Sequence, residues 1–120
     1  MDLGLKDKII IVTGGAKGIG AAISLLLAQE GAIPVIIGRS EEDNLRQLTR
    51  ISEAGGKGGQ VVAELTDPAA CKQSVAAVTA QFGRIDGLVN NAGVNDGVGL
   101  ENGSYEAFMQ SRHRNVVHYY

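Results

Sequence analysis

In Lys8-Ile9-Ile10-Ile11-Val12-Thr13-Gly14-Gly15-Ala16-Lys17-Gly18-Ile19-Gly20 a strand gives way to a helix through a glycine-rich turn. Lys8 to Thr13 is β-branched and apolar on both faces, the composition of a strand buried on both sides. Ile19 to Glu30 reads as a helix. Ile19, Ala22, Ile23, Leu26 and Leu27 form its apolar stripe, and Gly31 ends it. Between them the backbone must bend sharply out of the strand, which favours glycine.

The same alternation continues along the chain. Ile33 to Ile37 reads as a second strand, with Pro34 near its start, where a missing N–H is tolerated. Ser40 can cap a helix whose apolar side is Leu45, Leu48 and Ile51, and Gly55 stops it. Gly55-Gly56-Lys57-Gly58-Gly59 reads as a flexible connector. Gln60 to Leu65 is a third strand. Asp67-Pro68 is a cap followed by proline at the first helical position. Cys71, Val75, Val78 and Phe82 then make a helical stripe that Gly83 ends. Asp86 is a turn residue before a short fourth strand, Gly87 to Asn90. A polar, glycine-rich loop reaches about Gly103, and Ser104 caps a last helix that carries no stop signal before Tyr119-Tyr120. Strands separated by helices mean right-handed βαβ units and a parallel sheet.

Composition bounds the function. The 120 residues hold 11 Lys plus Arg against 13 Asp plus Glu, a net charge of −2. A nucleic-acid surface would carry a basic excess. Apolar runs fall short of the ~18 residues of a membrane span, and the opening residues carry acids rather than a signal-peptide core. A single cysteine, Cys71, forms no internal disulfide, which fits a reducing, cytoplasmic setting; it lies on the apolar stripe as a packing residue. His113 and His118 lack the neighbours of a metal site, so no metal is expected. Glycine is the outlier, 17 of 120, about twice the usual ~7%.

The turn Gly14 to Gly20 has the context of a phosphate-binding loop. A pyrophosphate would approach its amides and the positive end of the following helix, and residues without a Cβ allow that approach. The bland alternative is a structural tight turn. The spacing Gly14, three residues, Gly18, one residue, Gly20, with Asn90-Asn91-Ala92-Gly93 at the end of the fourth strand, resembles the short-chain dehydrogenase/reductase family. The resemblance covers residues 1–120. The stretch Asn90 to Glu101, with Asn115 to Tyr120, is most similar to its sugar-oxidising branch that includes L-fucose dehydrogenases.

The resemblance implies an α/β fold: a Rossmann-type doubly wound parallel sheet, its first four strands in the order 3-2-1-4 with flanking helices, the chain ending within the helix after the fourth strand. It implies an NAD(P)-dependent oxidoreductase moving hydride between a nicotinamide and a small alcohol or carbonyl compound, in a parent that is a homo-oligomer, tetramer or dimer. Residue by residue, it places Gly14, Gly15, Ala16, Lys17, Gly18 and Ile19 around the pyrophosphate and nearby ribose. Glu64 and Leu65 would meet the adenine, although Glu64 is one methylene longer than the family's usual residue. Asn91, Ala92 and Gly93 would lie beside the cofactor ribose, and Asn115 matches the active-site asparagine that orders a water in the proton relay.

The residue after the second strand bears on NAD against NADP. An acid there would hydrogen-bond a 2′-hydroxyl and repel a 2′-phosphate. Here Gly38 offers no carboxylate, Arg39 can fork onto a phosphate, and Lys17 adds a second cation, so NADP is favoured. Glu41 and Glu42 oppose this if they turn toward Arg39, and two solvated surface cations remain the alternative. The family's Tyr-x-x-x-Lys acid/base pair is missing: the tyrosines are Tyr105, Tyr119 and Tyr120, and the last lysine is Lys72. Residues 1–120 are therefore expected to be a partial cofactor-binding domain without the catalytic half and without turnover. Where the family has an apolar residue stands Arg112, either snorkelling to the surface or a local sequence change.

Overall fold

The computed structural model describes residues 2–119. The strands are β1 (Ile9–Thr13), β2 (Ile33–Gly38), β3 (Gly59–Val62) and β4 (Gly87–Val89); the helices are α1 (Gly18–Gln29), α2 (Glu41–Glu53), α3 (Pro68–Phe82) and α4 (Tyr105–Asn115). All strands are parallel, in the order β3-β2-β1-β4. This is the Rossmann-type half-sheet the sequence implied.

β1 is flanked on both sides, pairing Ile9 with Ile33 and Thr13 with Ile37 on one edge, and Ile10 with Gly87 on the other. Ile33 N donates to Lys8 O at 2.8 Å, so Pro34 would have aimed its N–H toward β3. Pairing with β3 starts only at Val35, and the missing donor breaks no ladder. Alternation along the strands divides the core. Ile9, Ile11, Val35, Ile37, Ala63 and Val78 bury one face under α3; Ile36, Ala28 and Ile51 bury the other under α1 and α2.

Caps stand where the sequence put them. Ser40 Oγ accepts from Asp43 N at 3.2 Å, Asp67 Oδ1 from Ala69 N at 3.0 Å, and Ser104 Oγ from Ala107 N at 3.1 Å. Gly83 closes α3 in the left-handed region.

The helix faces differ from the expected stripes. On α1, Ile19 and Leu26 point to solvent, while Gly20, Ser24 and Ala28 lie buried. On α2, Leu45 is exposed and Asn44, Gln47 and Ile51 are buried. Here small side chains of α1 and polar ones of α2 that satisfy backbone carbonyls share the seam with Ile51. Gln47 Nε2 donates to Ala21 O at 2.8 Å and so joins the two helices. On α3, Ser74 joins Val78 in the buried face, Cys71 is half-buried and Val75 is exposed. The Gly55–Gly59 connector is packed rather than loose. A Cβ at Gly56 would come within 2.9 Å of Ala28 Cβ, and one at Gly59 within 2.7 Å of Phe82 Cζ. β3 stops at Val62, short of the expected Leu65.

The last helix was expected to run to the end of the chain. It stops at Asn115, and Val117–Tyr119 form a 3-10 turn; Tyr120 lies outside the described residues. Two β-branched residues, Val116 and Val117, favour this break, because nothing in α4 is buried to hold a longer helix. Arg112 is exposed there.

Candidate functional site

The carboxyl ends of the strands open into a groove of about 630 Å³. Gly14, Ala16, Lys17 and Ile19 line it from the β1–α1 turn; Arg39 from the end of β2; Glu64 and Leu65 from beyond β3; Asn91, Ala92 and Gly93 from beyond β4. Gly15, Gly18 and Asn115 do not line it.

The turn is held open from beneath. Gly14 and Gly18 have φ of +65° and +54°, in the left-handed region that favours glycine. A Cβ at Gly15 would come within 2.7 Å of Ser24 Oγ, and one at Gly20 would collide with Gly14 O and Asn91 Nδ2. Ser24 Oγ lies 3.1 Å from Gly15 O and 2.9 Å from Gly20 O, and so holds both ends of the turn. Lys17 begins α1 without a side-chain cap, and the first intrahelical donor is Ala21 N, to Lys17 O at 3.1 Å. The amides of Gly18, Ile19 and Gly20 therefore keep their hydrogens free at the positive end of a helix dipole, among the described residues. Gly15 and Gly20, too crowded for a side chain, and Gly14 and Gly18, in the left-handed region, form a turn whose unpaired amides fit a phosphate group.

Thr13 and Asn91 couple this turn to β4. Thr13 Oγ1 accepts from Asn91 N at 3.0 Å and from Ala92 N at 3.1 Å, and donates to Val89 O at 3.3 Å. Asn91 Nδ2 lies 3.2 Å from both Thr13 O and Gly14 O. The Asn91 amide thus supports the turn from the side. Asn115 stands apart from the groove: its Oδ1 accepts from Val94 N at 2.7 Å, and its Nδ2 donates to Ser111 O at 2.9 Å. It ties the loop after β4 to the end of α4.

Charge at the far end of the groove is paired. Lys17 Nζ lies 2.8 Å from Asp43 Oδ2, and an Arg39 guanidinium nitrogen 3.6 Å from Glu64 Oε2. Arg39 therefore meets Glu64, and of the two acids that would have opposed NADP by turning toward it, Glu42 pairs with Arg46 instead. Burial pushes the Glu64 carboxyl up, but the Thr66 amide and hydroxyl, together with Arg39, hold it below its ordinary value. Gly38 is a glycine for a packing reason: a Cβ there would come within 2.7 Å of Asn44 Oδ1, and Asn44 Nδ2 is itself bonded to Gly38 O at 3.2 Å and Gln60 Oε1 at 3.1 Å.

Several residues of the site escaped the sequence reading. Thr13 and Ser24 have local signals, a hydroxyl before the first glycine and one a helical turn after Gly20. Asp43, Arg114 and His118 also line the groove and have none. Arg114 is held by Asp96 at 2.9 Å. Among the described residues no group of three His, Cys, Asp or Glu is gathered to hold a metal ion, and no helix is long and apolar enough to cross a membrane.

Residues 8–120 match the protein family described as short chain dehydrogenase. The chain belongs to the short-chain dehydrogenase family. It is 46% identical over 93 residues to the 3-oxoacyl-acyl-carrier-protein reductase FabG of Thermotoga maritima, covering 75% of this chain and 37% of that one. It is 39% identical over 88 residues to a 3beta-hydroxysteroid dehydrogenase of Mediterraneibacter gnavus, covering 73% of this chain and 32% of that one. Among solved structures, the citronellol catabolism dehydrogenase AtuB of Pseudomonas aeruginosa PAO1 superposes with a TM-score of 0.87 at 36% identity. That match covers 96% of this chain and 47% of AtuB. The chain thus spans less than half the length of each of these three proteins.

Proposed function

We infer that residues 1–120 form the cofactor-binding part of an NAD(P)-dependent short-chain oxidoreductase, with NADP favoured over NAD. The observation that carries this is the β1–α1 turn: Gly15 and Gly20 leave no room for a Cβ, and beside them stand unpaired amides at the start of α1, where Ile19 lines the groove at the carboxyl ends of parallel strands. Gly14 to Ile19 hold the pyrophosphate and nearby ribose. Arg39 and Lys17 favour a 2′-phosphate, Glu64 and Leu65 flank the adenine, and Asn91, Ala92 and Gly93 lie beside the nicotinamide ribose. When bound, the cofactor supplies the carbon that gives or accepts hydride. The chain's own residues bind and orient it; the resemblance to the family extends to Asn115 the ordering of a relay water, although its side chain here is engaged by Val94 N and Ser111 O outside the groove.

The substrate is a small alcohol or carbonyl compound. The resemblance of residues 90–101 to the L-fucose dehydrogenase branch favours a sugar. The cytoplasm, a homo-oligomeric parent, and no nucleic-acid or membrane partner complete the reading. The lack of Tyr-x-x-x-Lys supports a second element of it: the 120-residue chain binds nucleotide without turnover.

NADPH fluorescence on adding the chain tests binding, and no tryptophan complicates the excitation. Arg39→Glu should weaken NADPH by about 10- to 100-fold, the equivalent of a charge-assisted bond, and NADH far less. Equal losses would reject the NADP preference. Alcohol-dependent NADPH production by the chain, abolished in Asn115→Ala, would reject inactivity.

A further inference from the structure

We propose that Asp43, on the first turn of α2, is a specificity-determining residue of the groove: by holding Lys17 it limits how strongly a 2′-phosphorylated adenine nucleotide is favoured over an unphosphorylated one. The proposal rests on the cofactor reading above and concerns Asp43, which that reading leaves without a role.

Lys17 and Arg39 each meet a carboxylate at this end of the groove. The two pairs are not equivalent. Lys17 Nζ lies 2.8 Å from Asp43 Oδ2, and the Asp43 side chain is only 17% exposed. Its other oxygen takes Arg46 at 3.2 Å. The Lys17 hydrogen bond, against the upward push of burial, and then Ser40 and Arg46 keep the Asp43 carboxyl below its ordinary value. Asp43 is therefore a standing negative charge. Glu64 is looser: its side chain is 47% exposed and its distance to Arg39 is 3.6 Å, beyond a good hydrogen bond. Its Oε1 is already engaged by Thr66 N and Thr66 Oγ1, at 3.2 Å and 3.0 Å. Arg39 can leave Glu64 at little loss, whereas Lys17 offers a phosphate a charge already shared with the closer Asp43 carboxylate.

A phosphate monoester carries about −1.5 to −2 charges at neutral pH, and it must compete with Asp43 for Lys17 while feeling the repulsion of that carboxylate. A ribose hydroxyl carries no charge and meets neither obstacle. Asp43 therefore acts selectively against the phosphorylated form. The residue at the end of β2 plays no such part, because Asn44 leaves no room for a side chain at Gly38.

The test is calorimetric titration of the chain with adenosine 2′,5′-bisphosphate and with 5′-AMP, which differ only by the 2′-phosphate. Asp43→Asn should tighten the 2′,5′-bisphosphate about two- to fivefold, the range of a partly exposed ion pair, and leave 5′-AMP nearly unchanged. Adding Lys17→Met to Asp43→Asn should abolish the gain. Asp43→Ser repeats the measurement if the asparagine variant melts early. Equal factors for both nucleotides, or a gain that survives Lys17→Met, overturn the role of Asp43 and leave the cofactor reading standing. Failure of both nucleotides to bind the unaltered chain overturns the cofactor reading itself, and this inference with it.

Discussion

Replacing Gly20 by alanine drives a Cβ into the Gly14 carbonyl and the Asn91 amide, and both are backed by β1 and β4. The expected loss is about 3 kcal/mol, the upper end for overpacking. Gly18→Ala meets no atom within 4 Å but keeps φ at +54°, so it should lose only about 1–2 kcal/mol. Urea midpoints of the two variants separate crowding from conformation. Thr13→Val leaves the amides of Asn91 and Ala92 without their acceptor and should lose about 1–3 kcal/mol by the same measurement. Asp86 shows a residue read too modestly. Its carboxylate accepts from Ile9 N at 2.8 Å and so clamps the start of β1. Arg84 first, then the Ile9 amide, hold its carboxyl below the ordinary 3.8 against the upward push of burial. Its contribution is present above that value and disappears as pH falls through the lower folded one. Melts should therefore show an acid limb below about pH 4 that Asp86→Asn flattens. The glycines of the site were legible because each one needs its own conformation or space. The clamp of Asp86 on Ile9 and the hold of Asp43 on Lys17 were not, because those two partners lie far away in the chain.

At the level of elements, strand and helix order was legible from β-branched runs, caps and glycine stops, all of which act within a few residues. The buried helix faces were not. The apolar stripe on α1 pointed to Ile19 and Leu26, yet they are 75% and 58% exposed, and the sheet receives Gly20, Ser24 and Ala28. Apolar periodicity marks a core face only where side chains fill the gap between layers. Here the layers touch through small residues, and a Cβ at Gly56 would already press on Ala28. Ala28→Leu should therefore destabilise by about 1–3 kcal/mol, and Leu26→Ser should stay within about 0.5 kcal/mol. Thermal melts that rank them the other way would restore the apolar-stripe reading.

For the whole molecule, the radius of gyration is 15.3 Å and the extents are 47 × 27 × 25 Å, against about 14 Å expected for a compact domain of this length. α4 buries no residue and leaves Phe108 65% exposed, and Val116 just after it is 56% exposed. Beside it, β4 is an edge strand, and an apolar cavity of about 650 Å³ opens between α3, Leu88 and Tyr119. Unpaired strand edges and open apolar faces favour self-association. Sedimentation of the 120-residue chain should show concentration-dependent mass, reduced by Leu88→Lys; a monomer at all concentrations would contradict this. The sequence by itself determined the order of strands and helices, the glycine-rich turn and the family, because glycine conformations, caps and β-branched runs act locally. Only the tertiary structure decided that Lys17 meets Asp43, that Arg39 meets Glu64 and that Asn91 supports Gly14. Those pairings depend on how the crossovers bring distant ends of parallel strands to one edge, and no spacing along the chain encodes them.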